Sequence, residues 1–280
     1  MMMKKLRAIG TSFLFMGIYL SFQLIYLTVV SFMFGIKYGG LEQEIFTENL
    51  DRMLSTNTLL AIIFSAFFSI LLYYRLCNNR KKNFIECCTF ERISLKDICI
   101  SALGGFTFLF INGYIVGLIR YLGILTNYMD SFQEFSNSIY SANIALLIIS
   151  VGVVGPIIEE IIFRGLIFNE LKANMPTRTV VIVQAVLFGI FHMRAIQMIY
   201  ATLLGLFLGV VFVKTKTILA PIILHITYNI TSVMVSNYGS DTIFGQYFNY
   251  IVVLSFIIVA VILLYLFKNK SNSIKDELIL

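Results

Sequence analysis

The chain of 280 residues is 59% hydrophobic and only 13% charged, whereas a soluble domain has about 25% charged and about 45–50% apolar residues. Its mean hydropathy of +0.88 comes from long apolar runs, which exclude a disordered tail, a disulfide scaffold, a coiled coil and a soluble nucleic-acid-binding protein. The net charge of +6 is therefore interpreted as a record of membrane topology rather than of a nucleic-acid partner.

Stretches without charge predict eight membrane-spanning helices, because a bilayer core needs about 20 apolar residues of helix to cross it. In chain order they are 8–36, 53–74, 98–119, 135–158 with a more polar continuation to about 171, 179–191, 195–213, 217–240 and 242–267. The fifth is short for a span, so it either begins in the headgroup zone near Met175 or is partly shielded by other helices. The predicted fold class is all-α, a polytopic membrane helical bundle.

The distribution of lysine and arginine predicts the orientation of these helices. If the N-terminus is cytosolic and the segments alternate, only Lys37, Arg52, Arg120 and Arg194 lie outside, and Arg164 lies within a span. The remaining 16 of the 21 Lys and Arg then lie on the cytosolic side. Both termini are therefore predicted to be cytosolic.

All cysteines fall on or near the loop between the second and third predicted spans. They are Cys77, Cys87, Cys88 and Cys99. The adjacent pair does not have the spacing of a zinc site, so reduced thiols are expected, with palmitoylation as the alternative.

Ionisable residues inside the predicted spans are few and concentrated. They are Glu159, Glu160, Arg164, His192 and His225, and the two histidines are the only ones in the protein. An ionisable side chain in the membrane is costly unless it is paired or borders a polar cavity. Each of the five is therefore a candidate for a functional site.

The two adjacent glutamates are predicted to have different roles. Glu160 and Arg164 are four residues apart, a spacing that lets a carboxylate meet a guanidinium on one helix face. Glu159 is rotated by about 100° from Glu160, so it lies outside that pair and can hold water. Gly155-Pro156 just before them is expected to bend the helix and to free backbone carbonyls at the edge of a cavity.

A carboxylate, two imidazoles and an amide at one membrane depth indicate amide hydrolysis without a serine or cysteine nucleophile. Glu159 and an imidazole can take a proton from water and pass it to a leaving amine. A second imidazole and the amide of Asn229, four residues after His225, can donate hydrogen bonds to the developing oxyanion. Glu159, His192 and His225 are also a possible ligand set for a divalent metal, although the HExxH pattern is absent.

Three motifs on successive predicted helices resemble those of the CPBP family of membrane proteins. They are Glu159-Glu160-x-x-x-Arg164, Phe188-x-x-x-His192 and His225-x-x-x-Asn229. This family includes the type II CAAX prenyl endopeptidases and bacterial homologues in bacteriocin processing or self-immunity. The resemblance covers about residues 142 to 235 and does not extend to the first three spans.

The resemblance implies a role for each motif residue. Glu159 would be the base that activates water, His192 its partner, and His225 with Asn229 the oxyanion site. The other motif residues would support the site: Glu160 and Arg164 shape its pocket, and Phe188 packs beside it. The resemblance also implies three regions, namely 1–134 with the first three helices, 135–240 as the catalytic core and 241–280 with the last helix and a cytosolic tail.

The sequence favours an intramembrane endopeptidase that cuts a membrane-associated peptide or protein. The alternatives are a non-catalytic scaffold or a bacteriocin-immunity or signalling protein with the same fold, and a proton-coupled transporter. A metal-free glutamate mechanism is favoured over a metal such as zinc. The expected partners are the substrate and the lipid bilayer, without nucleic acid, and the oligomeric state is left open. Composition favours a multi-pass protein of a bacterial plasma membrane.

Overall fold

The computed structural model describes residues 2–40, 42–80, 83–239 and 243–269, and within these ranges it contains helices and no strands. The helices are α1 Met2–Tyr38, α2 Gln43–Asn79, α3 Phe84–Cys87, α4 Leu95–Tyr121, α5 Thr126–Tyr140, α6 Ile144–Lys172, α7 Thr177–Phe191, α8 Ala195–Thr215, α9 Leu219–Tyr238, α10 Ile243–Gln246 and α11 Phe248–Asn269. The predicted all-α membrane bundle is thereby confirmed. The cytosolic tail predicted at the C-terminus falls on 270–280, outside the described residues.

Seven of the described helices are long and apolar enough to cross a membrane, namely α1, α2, α4, α6, α8, α9 and α11. The fifth predicted span corresponds to α7, an apolar helix of 15 residues. At about 1.5 Å per residue it covers about 22 Å, less than the roughly 30 Å of a hydrocarbon core. Its buried face, which includes Gln184 and Phe188, explains how a short helix is accommodated here.

The fourth span begins later than the sequence predicted. α5 ends at Tyr140, and after a turn α6 begins at Ile144 rather than near residue 135. The side-chain oxygen of Asn143 accepts hydrogen bonds from the N–H groups of Ala145 and Leu146 at 3.0 and 3.2 Å. These bonds satisfy N–H groups that would otherwise lack partners, so Asn143 fixes the start of the helix.

α6 lies at the centre of the bundle, and all of residues 161–168 are buried. α1 and α2 pack as a hairpin, α4 packs on α9, and α7 packs on α8, with α6 in contact with α1, α2 and α9. At Gly105 of α4 the packing is backbone against backbone, because an added Cβ would overlap the carbonyl oxygen of Leu224 on α9.

Two glycines of α8 allow a similar approach to α7. A Cβ added at Gly205 would lie 3.1 Å from the Cα atom of Ala185, and one at Gly209 would meet the side-chain amide of Gln184. Small residues at such positions let membrane helices pack closely. This packing brings the backbone of α8 next to the ionisable residues of α6.

Candidate active site

The two glutamates lie on an irregular part of α6. A short α-helical stretch, Gly155–Glu160, is flanked by two π-helical stretches, Ile148–Val154 and Ile161–Ile167. π-helical hydrogen bonds join residues five apart and are frequent at functional sites. The bend predicted at Gly155-Pro156 stays a prediction, and what the structure shows is changed hydrogen-bond spacing within a continuous helix.

Glu160 and Arg164 form a fully buried ion pair. The Nη1 atom of Arg164 donates to Oε1 of Glu160 at 2.8 Å, and both side chains are 0% exposed. The Nη2 atom of Arg164 donates to the backbone oxygen of Gly205 on α8 at 3.0 Å, and the guanidinium lies 5.0 Å from the ring centre of Phe188. The pair predicted from the spacing is thus formed, and it also joins α6 to α7 and α8.

His225 of α9 lies between the two glutamates. Its Nδ1 atom is 2.8 Å from Oε1 of Glu160, and its Nε2 atom is 3.7 Å from Oε2 of Glu159. Because the ionised Glu160 can only accept, Nδ1 carries the proton of this hydrogen bond. The orientation of the ring is therefore fixed, and Nε2 points toward Glu159.

Glu159 keeps some access to its surroundings. Its side chain is 16% exposed, whereas that of Glu160 is 0% exposed. Among the residues that the structure describes, no ion pair joins Glu159 to Arg164. The arrangement therefore gives one carboxylate a buried counter-charge and leaves the other able to contact water.

His192 lies at the C-terminal end of α7 and is half-buried. Its Nδ1 atom is 2.8 Å from the backbone oxygen of Phe188, which can only accept, so Nδ1 carries the proton and Nε2 is left as the acceptor. The Phe188 ring contacts both imidazoles, at centroid distances of 4.9 Å to His192 and 5.7 Å to His225. No hydrogen bond between His192 and Glu159 is formed within the described ranges, so their partnership stays a prediction.

Asn229 contacts the π-helical stretch of α6. Its Nδ2 atom donates to the backbone oxygen of Val151 at 2.7 Å. The N–H of Gly155 donates to Ser150, and Pro156 has no N–H to donate. A side-chain amide from α9 thus binds a carbonyl on the site helix, in line with the prediction that the Gly-Pro step frees carbonyls.

The donor set proposed for a metal does not assemble. Among the described residues there is no group of three or more His, Cys, Asp or Glu side chains that could hold a metal ion. Glu159, His192 and His225 are therefore not arranged as such a group. The Nδ1 atom of His225 is engaged by Glu160, while its Nε2 atom faces Glu159. The choice between a metal and a metal-free mechanism stays a prediction.

Two further residues at the site belong to no motif and were not predicted from the sequence. Gln184 is fully buried on α7 and donates to the Gly205 oxygen that Arg164 also uses, at 3.0 Å. Tyr19 of α1 is buried against Phe191, next to His192, with ring centroids 5.7 Å apart. A buried amide within an apolar span was a detectable signal for Gln184, whereas nothing in the sequence distinguishes Tyr19 from the other tyrosines.

Comparison with known proteins matches the same part of the chain. Residues 141–231 match the family model described as type II CAAX prenyl endopeptidase Rce1-like. The putative membrane peptidase YdiL of Bacillus subtilis (strain 168) is 35% identical over 86 residues, which is 31% of this chain and 35% of that protein. The chain thus aligns with about a third of the length of this curated relative. No solved structure gives a significant match.

The matched segment begins just before α6 and ends within α9, so it contains all three motifs and every candidate site residue. These motifs, the buried ion pair and the multi-pass helical fold agree with the family match and with the named membrane peptidase. Residues 141–231 are therefore similar to the type II CAAX prenyl endopeptidase Rce1-like family.

Proposed function

We propose that this protein is an intramembrane endopeptidase that hydrolyses a peptide bond of a membrane-associated peptide or protein with water activated by Glu159. The observation that carries the proposal is the unequal pair of carboxylates. Glu160 is bound by Arg164 and His225 in a buried site, while Glu159 is partly exposed and faces Nε2 of His225. A carboxylate in this position can hold and deprotonate water.

In the proposed reaction, Glu159 takes a proton from water, and the hydroxide forms a bond to the carbonyl carbon of the peptide. The oxyanion of the tetrahedral intermediate is stabilised by an N–H of Asn229 and by His225 when its Nε2 is protonated. The C–N bond then breaks, and the proton held by Glu159 passes to the leaving nitrogen. His192, whose Nε2 is an acceptor, assists Glu159 as its partner.

Buried charges explain why this chemistry is compatible with a membrane interior. A single unpaired carboxylate there is costly, but the Arg164 cation offsets one of the two negative charges. The Arg164 guanidinium also donates a hydrogen bond to the Gly205 carbonyl, which fixes its position against α8. Glu160 and Arg164 thus act through positioning, and Glu159 is left to contact substrate and water.

We propose that this mechanism is metal-free, and a chelator tests it. We expect the purified protein to retain its cleavage rate after dialysis against 1,10-phenanthroline or EDTA. Activity that is lost with the chelator and restored by zinc would instead assign the reaction to a metal. The control is a zinc-dependent peptidase treated in the same way, which must lose its activity.

The test of the enzymatic function uses the full chain in liposomes together with solubilised membrane proteins of its host. New N-termini are identified by mass spectrometry after incubation with the wild type or with Glu159→Ala, His192→Ala and His225→Ala. We expect wild-type-specific termini that are lost with each variant, with folding checked by size-exclusion chromatography. If all three folded variants produce the same termini as the wild type, the protein is a non-catalytic member of the family.

A further inference from the structure

A backbone carbonyl of α6 accepts a hydrogen bond from the side-chain amide that stabilises the oxyanion in the proposed mechanism. In the π-helical stretch Ile148–Val154, the N–H of Gly155 donates to the carbonyl of Ser150, five residues earlier. At this spacing the carbonyl of Val151 would accept a hydrogen bond from the N–H of residue 156. That residue is Pro156, which has no N–H. The Val151 carbonyl is therefore left for another donor.

The donor to this carbonyl is Asn229 of α9. Its Nδ2 atom lies 2.7 Å from the Val151 oxygen, and the side chain is only half-buried. An amide nitrogen has two N–H groups. When one is bound to Val151, the rotation of the amide is fixed and the second N–H points in one direction. A group that is fixed in advance stabilises a developing charge better than one that must reorient.

The two helices approach closely at this point. A Cβ added at Gly152, next to Val151, would lie 3.0 Å from Cγ1 of Ile230, the neighbour of Asn229. Four residues before Asn229, His225 contacts both glutamates of α6. The contact between α6 and α9 therefore contains all three features: the proline that lacks an N–H, the glycine, and the polar contacts of His225.

We propose that Pro156 is a positioning residue for peptide hydrolysis: it keeps the Val151 carbonyl open so that this carbonyl orients the Asn229 amide toward the reacting carbonyl oxygen. The part that concerns orientation during turnover rests on the proposed function. The part that concerns the bond between Val151 and Asn229 stands on the contacts alone. The two parts are separated by measuring stability and turnover on the same variants.

The stability measurement is a double-mutant cycle of Pro156→Ala and Asn229→Ala in the full chain, unfolded by SDS in mixed micelles. In the wild type, Asn229→Ala leaves the Val151 carbonyl without its donor, and we expect the folding equilibrium constant to fall by roughly tenfold. With Pro156→Ala, the new N–H can bind Val151, so Asn229→Ala should then cost less than about threefold. Additive effects would overturn the proposal whether or not the protein cleaves peptides.

The turnover measurement uses a substrate found by the terminus mapping above. We expect Pro156→Ala to lower kcat by about tenfold or more with little change in KM, because a donor to the transition state is misplaced. Adding Pro156→Ala to Asn229→Ala should have no further effect on kcat. An unchanged kcat in Pro156→Ala, when Asn229→Ala is impaired, would overturn the positioning role. Full activity of Asn229→Ala would refute the proposed function at this residue.

Pro221→Ala is the matched control. Pro221 lies in the first turn of α9, where an N–H has no acceptor within its own helix, so the proline withholds no hydrogen bond there. We expect Pro221→Ala to have the wild-type kcat. Asn229→Ala should lower stability equally in the Pro221→Ala variant and in the wild type. Gly152→Ala perturbs the same contact without altering the proline, since its methyl group would lie 3.0 Å from Cγ1 of Ile230 and that side chain must shift. It should lower kcat, and wild-type kcat in this variant would count against the proposal.

Discussion

Glu159 and Glu160 are neighbours in the sequence, yet they have different surroundings. Glu160 is enclosed by Arg164 and His225, whereas Glu159 is partly exposed. A helical rotation of about 100° between adjacent residues accounts for the difference. At this scale the sequence predicted the ion pair from its spacing, because both partners lie on one helix. It could not predict the bond from His225 to Glu160, because that contact joins helices far apart in the chain.

Removing one partner of the buried pair is expected to destabilise the fold strongly. Arg164→Met leaves the Glu160 carboxylate buried with His225 as its remaining contact, which should lower the free energy of unfolding by about 3–5 kcal/mol. Arg80→Met is the control, because it breaks a pair with Glu170 whose side chains are 46% and 25% exposed, and such a pair contributes about 0–1 kcal/mol. Unfolding by SDS measures both, and equal losses would contradict a structural role for the buried pair.

At the scale of helices, hydropathy was sufficient to locate the spans, because charge-free stretches are long and well separated. The break between α5 and α6 was not predicted, because 135–158 carries no charge and the turn at Asn143 has no glycine or proline. The π-helical stretches were also missed. They depend on hydrogen-bond spacing within a continuous helix, and hydropathy does not report it.

The contact between α4 and α9 provides a test of helix packing. Gly105→Ala would place a methyl group against the backbone of Leu224 and Tyr228, which cannot move as a side chain can. We therefore expect a loss of thermal stability and, because α9 carries His225 and Asn229, a loss of cleavage. Gly117→Ala on the same helix has open space around it and should be neutral or more stable by up to about 1 kcal/mol. Similar melting temperatures for the two variants would contradict this packing.

The segment between α2 and α4 packs against the site helix. Cys88 is buried there, and a Cβ at Gly165 of α6 would lie 2.9 Å from its sulfur atom. Burial raises the pKa of the Cys88 thiol, which lowers the fraction of reactive thiolate. At pH 8 N-ethylmaleimide should therefore modify the half-buried Cys87 well before Cys88, as followed by peptide mass spectrometry. Equal rates would show that this segment does not stay packed on α6.

For the whole molecule, the scarcity of charge makes its few cations informative about topology. The positive-inside rule predicts cytosolic positions after Asn79, Ala173 and Thr215, and outside positions after Gly123 and Met193. Alkaline phosphatase fusions should thus be active only at Gly123 and Met193. Inactivity at Met193 with activity at Thr215 would show that the short α7 does not cross the membrane.

In the proposed function, the carboxylate of Glu159 activates water for peptide hydrolysis. The most direct measurement is the cleavage rate of the full chain in liposomes, compared between Glu159→Gln and Glu170→Gln. Both changes replace a carboxylate by an amide on α6, but only Glu159 faces His225. We predict a loss of about a hundredfold or more for Glu159→Gln and a change within about twofold for Glu170→Gln. A folded Glu159→Gln protein that cleaves at the wild-type rate would show that Glu159 does not activate the water.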